Sequence, residues 1–175
     1  DGLKWTFKIR KGMKWSNGDP VTAKDYFNGV KRGMEPDLAS EYAYLTYYIK
    51  GAKDFNEGKI KDINQVGIKV VDEYTLEFEL ADPTAYFGKL LIMPIFYPIN
   101  EKAIAEFGDK YALEPKNSIY SGPYILKEWS HGSKITLEKN PNYWDDNSYK
   151  INTVVALISA DLDSAVNSYE NKELD

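Results

Sequence analysis

The chain has 175 residues, 43% apolar and 28% charged, with a formal net charge of -5 and no cysteine. That composition is ordinary for one globular domain or two small ones, and it rules out disulfides and thiol chemistry. The acidic balance argues against broad nucleic-acid binding, which needs a basic stripe, and apolar runs such as LLIMPIFYPI at 90–99 are broken by proline and too short to span a bilayer.

Residues 4–10, KWTFKIR, alternate Trp5, Phe7 and Ile9 with Thr6, Lys8 and Arg10, the pattern of a half-buried strand. Asn17-Gly18 marks a turn and Asp19-Pro20 an extended entry. Thr22 and Asp25 have capping-box spacing. Tyr26, Phe27 and Val30 give the helix that follows an apolar face, and Gly33 and Pro36 are expected to stop it. Helical spacing of Leu38, Tyr42, Leu45 and Ile49 predicts a second helix from about Asp37 to Lys50. GAKDFNEGK reads as a short helix closed by Gly58, and VGIKVVDEYTLEFEL as a hairpin turning at Asp72-Glu73.

Pro83 ends that hairpin, and TAYFGKLL predicts a short amphipathic helix. Pro94 and Pro98 make MPIFYPIN the expected extended crossing between two subdomains. A helix capped by Asn100 and closed by Gly108 follows, then a second hairpin, GPYILKEW and SKITLEKN, around Ser130-His131-Gly132. INTVVALIS is expected to be a buried strand, and Asp161 or Asp163 to cap a last helix. No internal repeat is found. The fold class expected is α+β, built on two hairpin units. The termini, DGLKWTF without an initiating Met and YENKELD, read as those of an excised piece of a longer protein.

Catalytic signatures are weak. No G-x-S-x-G elbow or phosphate-binding glycine loop occurs, and the single histidine, His131, reads as an exposed turn residue. DDNS at 145–148 resembles the start of a calcium loop but lacks its central glycine, and its twelfth position is Ala156 rather than glutamate. Glu77 and Glu79 share one face of a strand and read as solvated charge. No cofactor or metal is expected. Fourteen tyrosines and four tryptophans, however, exceed what a core of this size needs, and such side chains suit binding clefts.

WTFKIRKGMKWSNGDPVTAKDYFNGVKR resembles the signature of the family 5 extracytoplasmic solute-binding proteins of peptide ABC importers: a W-x-F-x-[IL]-R strand, then K-W-S-[DN]-G-x-P-[VL]-T-A-x-D into a helix. EPDLASEYAYL, GAKDFNEGK, LADPTAYFGKLL, SGPYILKEW and ITLEKNPNYW continue the resemblance in order, and it is nearest to the oligopeptide-binding branch. AVNSYENKELD is similar to the closing motif, with Asn171-Lys172 where glycine is frequent.

The resemblance implies a type II periplasmic-binding-protein-like fold. Residues 1 to about 98 would form most of the family's extra small domain, and residues 99–175 a central part of the first lobe of the clamp. It implies capture of an oligopeptide in the cleft between lobes, delivery to an ABC permease in the membrane, and a monomer that is not an enzyme. The expected location is extracytoplasmic, as a lipid-anchored surface protein or in the periplasm. Tyr42, in SEYAYL, matches a tyrosine that lines the peptide site, with core packing beside Leu38 and Leu45 as its simpler role. The family's acidic partner for the peptide amino terminus belongs to the opposite lobe. Other members carry nickel chelates, haem or signalling peptides. A carbohydrate-active domain is the alternative from a different class, and it would need two carboxylates in one cleft, roughly 5 Å or 6.5–9.5 Å apart.

Overall fold

The computed structural model describes residues 2–175. The chain forms two compact units. One holds the residues up to Met13 together with Pro20–Ala105, and the other holds Lys14–Asp19 and Glu106–Asp175.

The first unit is built on a three-stranded antiparallel sheet in the order β1-β3-β2, from Lys4–Lys8, Thr75–Glu79 and Ile68–Asp72. Trp5 stands opposite Phe78 and Phe7 opposite Leu76, so the apolar set of β1 shares a face with that of β3. The turn sits at Glu73-Tyr74, one residue later than the sequence predicts, because Asp72 still pairs with Thr75. The Asp72 carboxylate there accepts from the Tyr74 N–H and the Thr75 hydroxyl.

Helix α1, Ala23–Met34, follows the expected start. The Asp25 carboxylate reaches back to the N–H and the hydroxyl of Thr22, at 2.7 and 2.8 Å, satisfying donors a helix start leaves open. Ala23, Val30 and Met34 are buried. They join Phe78, Phe87 and Phe96, whose rings meet edge to face at 5.3 and 6.3 Å. Burying each such ring contributes about 2 kcal/mol relative to exposure. The short helices α2, Ala52–Asn56, and α3, Phe87–Leu90, place Ala52, Phe55 and Phe87 in the same core.

Three sequence expectations change in this unit. Gly33 does not stop α1; it lies inside the helix and is buried, and Glu35-Pro36 makes the break. The helix predicted from Asp37 to Lys50 is absent. Two 3₁₀ turns, Pro36–Leu38 and Ala43–Thr46, stand there instead, separated by Ala39 at φ 48°. The amides of Ala43, Leu45, Tyr47 and Ile49 each donate three residues back, to Ser40, Tyr42, Tyr44 and Thr46. Four tyrosines favour a helix weakly, and the Ile49–Leu80 bridge draws the segment onto the sheet. The proline segment is also not an extended crossing. Pro94–Phe96 is a 3₁₀ turn with Phe96 buried, and the first unit continues to Ala105.

The second unit has its own antiparallel sheet, β4-β5-β6, from Tyr124–Ser130, Lys134–Lys139 and Thr153–Leu157. The hairpin at Ser130–Ser133 is as predicted, with Gly132 at φ 71°. The strand expected to be buried is instead an edge: among the described residues β6 pairs only with β5, and Val155 and Leu157 are exposed. Its unbroken apolar run fits burial on two faces, which an edge position within these residues does not provide. Helix α4, Glu101–Phe107, which begins in the first unit, is capped by Asn100, whose Oδ1 accepts from the Ala103 N–H at 3.0 Å. Helix α5, Leu162–Glu170, is capped by Asp161.

Lys14–Asp19 is sewn into this second unit. The Ser16 N–H donates to the Tyr120 carbonyl at 2.6 Å, the Tyr120 N–H returns to Ser16 Oγ, and Asn142 Nδ2 donates to the Ser16 carbonyl. Asn140, fully buried, ties Gly122, Pro123 and Asn142 together. Gly18, at φ 90°, turns the chain, and the Met13 carbonyl accepts from the Val21 N–H on its return. No helix among the described residues is long and apolar enough to cross a membrane.

Candidate ligand groove

Tyr42 is not core. Its side chain is 54% exposed at the start of the Ala43–Thr46 turn and lines an open groove of about 450 Å³ in the first unit. One wall comes from α1, through Gly29, Arg32 and Gly33, and the facing wall from Met93, Pro94 and Ile95. Leu38, Ser40 and Leu45 accompany Tyr42. Leu38 is itself exposed, so the two leucines do not enclose the ring. The Tyr44 ring lies 6.5 Å from Tyr42 at 32°.

The walls stand close because α1 carries glycine at two positions one turn apart. A Cβ on Gly29 would meet the Tyr97 carbonyl oxygen, and one on Gly33 would meet the Ile95 side chain. Sequence reading missed this wall and took Gly33 as a helix stop. The signal was Gly-x-x-x-Gly in NGVKRG, which puts both glycines on one helical face. Chemically the groove offers apolar walls, the Tyr42 phenol, the Ser40 hydroxyl and the Arg32 guanidinium. Such a surface can bind an extended chain and has no acid–base pair of its own.

None of the other sequence candidates lines this groove. His131 Nε2 is 3.1 Å from Glu114 Oε1, with its ring against Trp129 at 4.1 Å. The pair is exposed, in the second unit. Glu77 pairs with Lys4 at 2.9 Å and Glu79 with Lys50. Asp146, in the calcium-like run, pairs with Lys139 at 2.8 Å. Asp161 is an N-cap, and no group of three or more metal-ligating side chains converges among the described residues. Beside the groove, Tyr48 and Tyr86 meet edge to face, and the Tyr86 hydroxyl donates to that of Tyr48 at 3.3 Å. That bond holds the Tyr86 phenol above its ordinary pKa.

The profile of the bacterial extracellular solute-binding proteins, family 5, middle region, matches residues 1–175. The periplasmic oligopeptide-binding protein OppA of Escherichia coli K12 is 42% identical over 177 residues, spanning 100% of this chain and 32% of that protein. The oligopeptide-binding protein OppA of Bacillus subtilis is 41% identical, with 100% and 32% covered. Among solved structures, the substrate-binding domain of an oligopeptide ABC transporter from Bacillus anthracis superposes with a TM-score of 0.96 at 41% identity, over 100% of this chain and 34% of that one. Listeria monocytogenes OppA bound to peptide gives 0.93 at 40% identity, over 99% and 34%. The chain thus spans about a third of the length of the relatives it matches. Its fold is α+β and periplasmic-binding-protein-like, and the chain belongs to the bacterial extracellular solute-binding proteins, family 5.

Proposed function

We propose that this chain is a segment of a protein that captures oligopeptides for an ABC importer, and that Tyr42 contacts the peptide. One observation carries the assignment to Tyr42: this residue, which the sequence resemblance sets at a ligand-lining position, stands half in solvent on an open groove rather than in the core. The likeness to OppA proteins, one of them solved with peptide bound, supports the ligand class. In such a site the peptide backbone bonds in the manner of an added strand, and water fills permissive side-chain pockets.

On this reading residues 1–98 are most of the extra small domain and residues 99–175 a central part of the first lobe. The presence of two compact units supports a two-domain reading, although their division falls after Ala105 and gives Lys14–Asp19 to the second unit. The complete protein works outside the cytoplasmic membrane, periplasmic or lipid-anchored, as a monomeric binder without catalysis, and docks its closed form on a permease. The names of the relatives, periplasmic and oligopeptide-binding, support this.

Calorimetry with a mixed tri- to pentapeptide pool tests the reading in two arms. The 175-residue chain alone binds weakly or not at all, because a cleft needs both walls. In the longer protein with both lobes, Tyr42→Ala lowers affinity about tenfold, the loss of one aromatic anchor. Sub-micromolar binding by the chain alone, or unchanged affinity in the variant, overturns the respective part.

A further inference from the structure

A second recognition surface lies on the first unit, next to the Tyr42 groove and made of other residues. Six residues line a shallow depression of about 410 Å³: Tyr44, Tyr47, Tyr48, Ala81, Asp82 and Thr84. Its parts are held by bonds that do not use the Asp82 carboxylate. The Ala81 N–H donates to the Tyr48 carbonyl at 2.9 Å, just after the Ile49–Leu80 bridge. Thr84 is buried and its hydroxyl donates to the Asp82 carbonyl oxygen at 3.0 Å. The Tyr47 hydroxyl donates to Asn56 Oδ1 at 2.7 Å, and the Tyr48 ring is braced by Tyr86.

Glu77 and Glu79 on β3 are each paired with a lysine. Asp82 is exposed and forms no ion pair among the described residues. An unpaired carboxylate beside three aromatic rings disfavours an anion. With one carboxylate, the depression lacks the ligand set of a metal ion. Ring faces attract organic cations, and of the common ones a guanidinium both stacks on a ring and forks onto a carboxylate. It is also more weakly hydrated than an ammonium.

We propose that the depression between Ala81–Thr84 and Tyr44–Tyr48 binds a guanidinium group, the side chain of an arginine. The site is independent of the peptide-capture reading and of Tyr42. The test is an NMR titration of the whole chain carrying ¹³C-labelled tyrosine rings, assigned through single Tyr→Phe variants. Nα-acetylarginine amide shifts the Tyr44, Tyr47 and Tyr48 signals saturably, with a dissociation constant of about 1–10 mM for so open a site. The neutral citrulline analogue leaves them in place. Asp82→Asn, whose side chain holds nothing in the fold, weakens binding about fivefold or more, and Tyr44→Leu does likewise. Ala-Arg-Ala amide separates the two sources: the same Asp82-dependent shifts assign the site to arginine within a peptide, and shifts from the small derivative alone assign it to a free guanidino compound. Equal shifts from citrulline, equal affinity for Nα-acetyllysine amide, or affinity unchanged in Asp82→Asn overturn the proposal.

Discussion

The carbonyl oxygen of Tyr97 occupies the space that a side chain at position 29 would need: a Cβ built on Gly29 would clash with it. Because that oxygen belongs to the backbone, no rotamer change relieves the clash. The Gly29–Tyr97 approach seats the Pro94–Phe96 turn against α1, and the same two elements form the walls of the Tyr42 groove. Gly29→Ala gains up to about 1 kcal/mol of helix propensity but forces α1 away from the turn, at a cost of about 1–3 kcal/mol or more. A net loss of stability is therefore expected in urea unfolding. Gly88→Ala is the control. Its Cβ would meet only the edge of Trp5 at 3.6 Å, an ordinary contact, so it is expected to be neutral or slightly stabilising.

Lys172 adopts φ 62°, the left-handed conformation that ends α5. Its N–H donates to the Tyr169 carbonyl at 3.0 Å, and the Glu173 N–H donates to Ser168 at 2.9 Å. The conformation strains a residue with a Cβ. Lys172→Gly is expected to stabilise the helix end by about 0.5–1 kcal/mol, seen as slower amide exchange at Asn171–Glu173. Faster exchange there would contradict the strain argument.

Much of this fold was readable from sequence where local chemistry and tertiary need agree. Thr22 and Asp25 start α1, the alternation of Trp5 and Phe7 makes β1, Asn100 caps α4, and Gly132 turns the second hairpin. The failures share a cause. In 37–50 the helical spacing of Leu38, Tyr42 and Leu45 was real, but i to i+3 bonding and the Ile49–Leu80 bridge decided the path. In β6, apolar residues predicted burial that its edge position does not give. Tyr42 was singled out only through the family resemblance. Its groove was not, because Gly29 and Ile95 are brought together by packing across more than sixty residues.

Acid should loosen α5 through its cap. The Ser164 hydroxyl bond, then the Asp163 N–H, hold the Asp161 carboxyl below the usual carboxylate range. With the folded pKa lowered, the unfolded chain binds the proton more readily. The cap's contribution is complete above the unfolded aspartate pKa of about 3.9 and is lost as pH falls through the folded value. Protection of the Asp163 and Ser164 amides is therefore expected to fall below about pH 4. Asp161→Asn, which still caps but does not titrate, should abolish that part of the profile. An unchanged profile in the variant would assign the acid sensitivity to other carboxylates.

Trp15 gives the last test, and it concerns the corner between β1 and α1. The side chain is 2% exposed, and its indole Nε1 is buried without an acceptor among the described residues. A donor left unsatisfied costs about 1–3 kcal/mol, whereas the bulk of the ring stabilises through burial. Trp15→Phe removes the donor while keeping most of the aromatic surface, so the two effects oppose and the net change is expected to stay within about 1.5 kcal/mol. Trp15→Ala loses the ring as well and should cost about 3–5 kcal/mol. The contrast isolates the indole N–H. If Phe proves as damaging as Ala, then Nε1 holds a bonded partner such as an ordered water, and the tryptophan is kept in this corner for its hydrogen bond rather than for its volume.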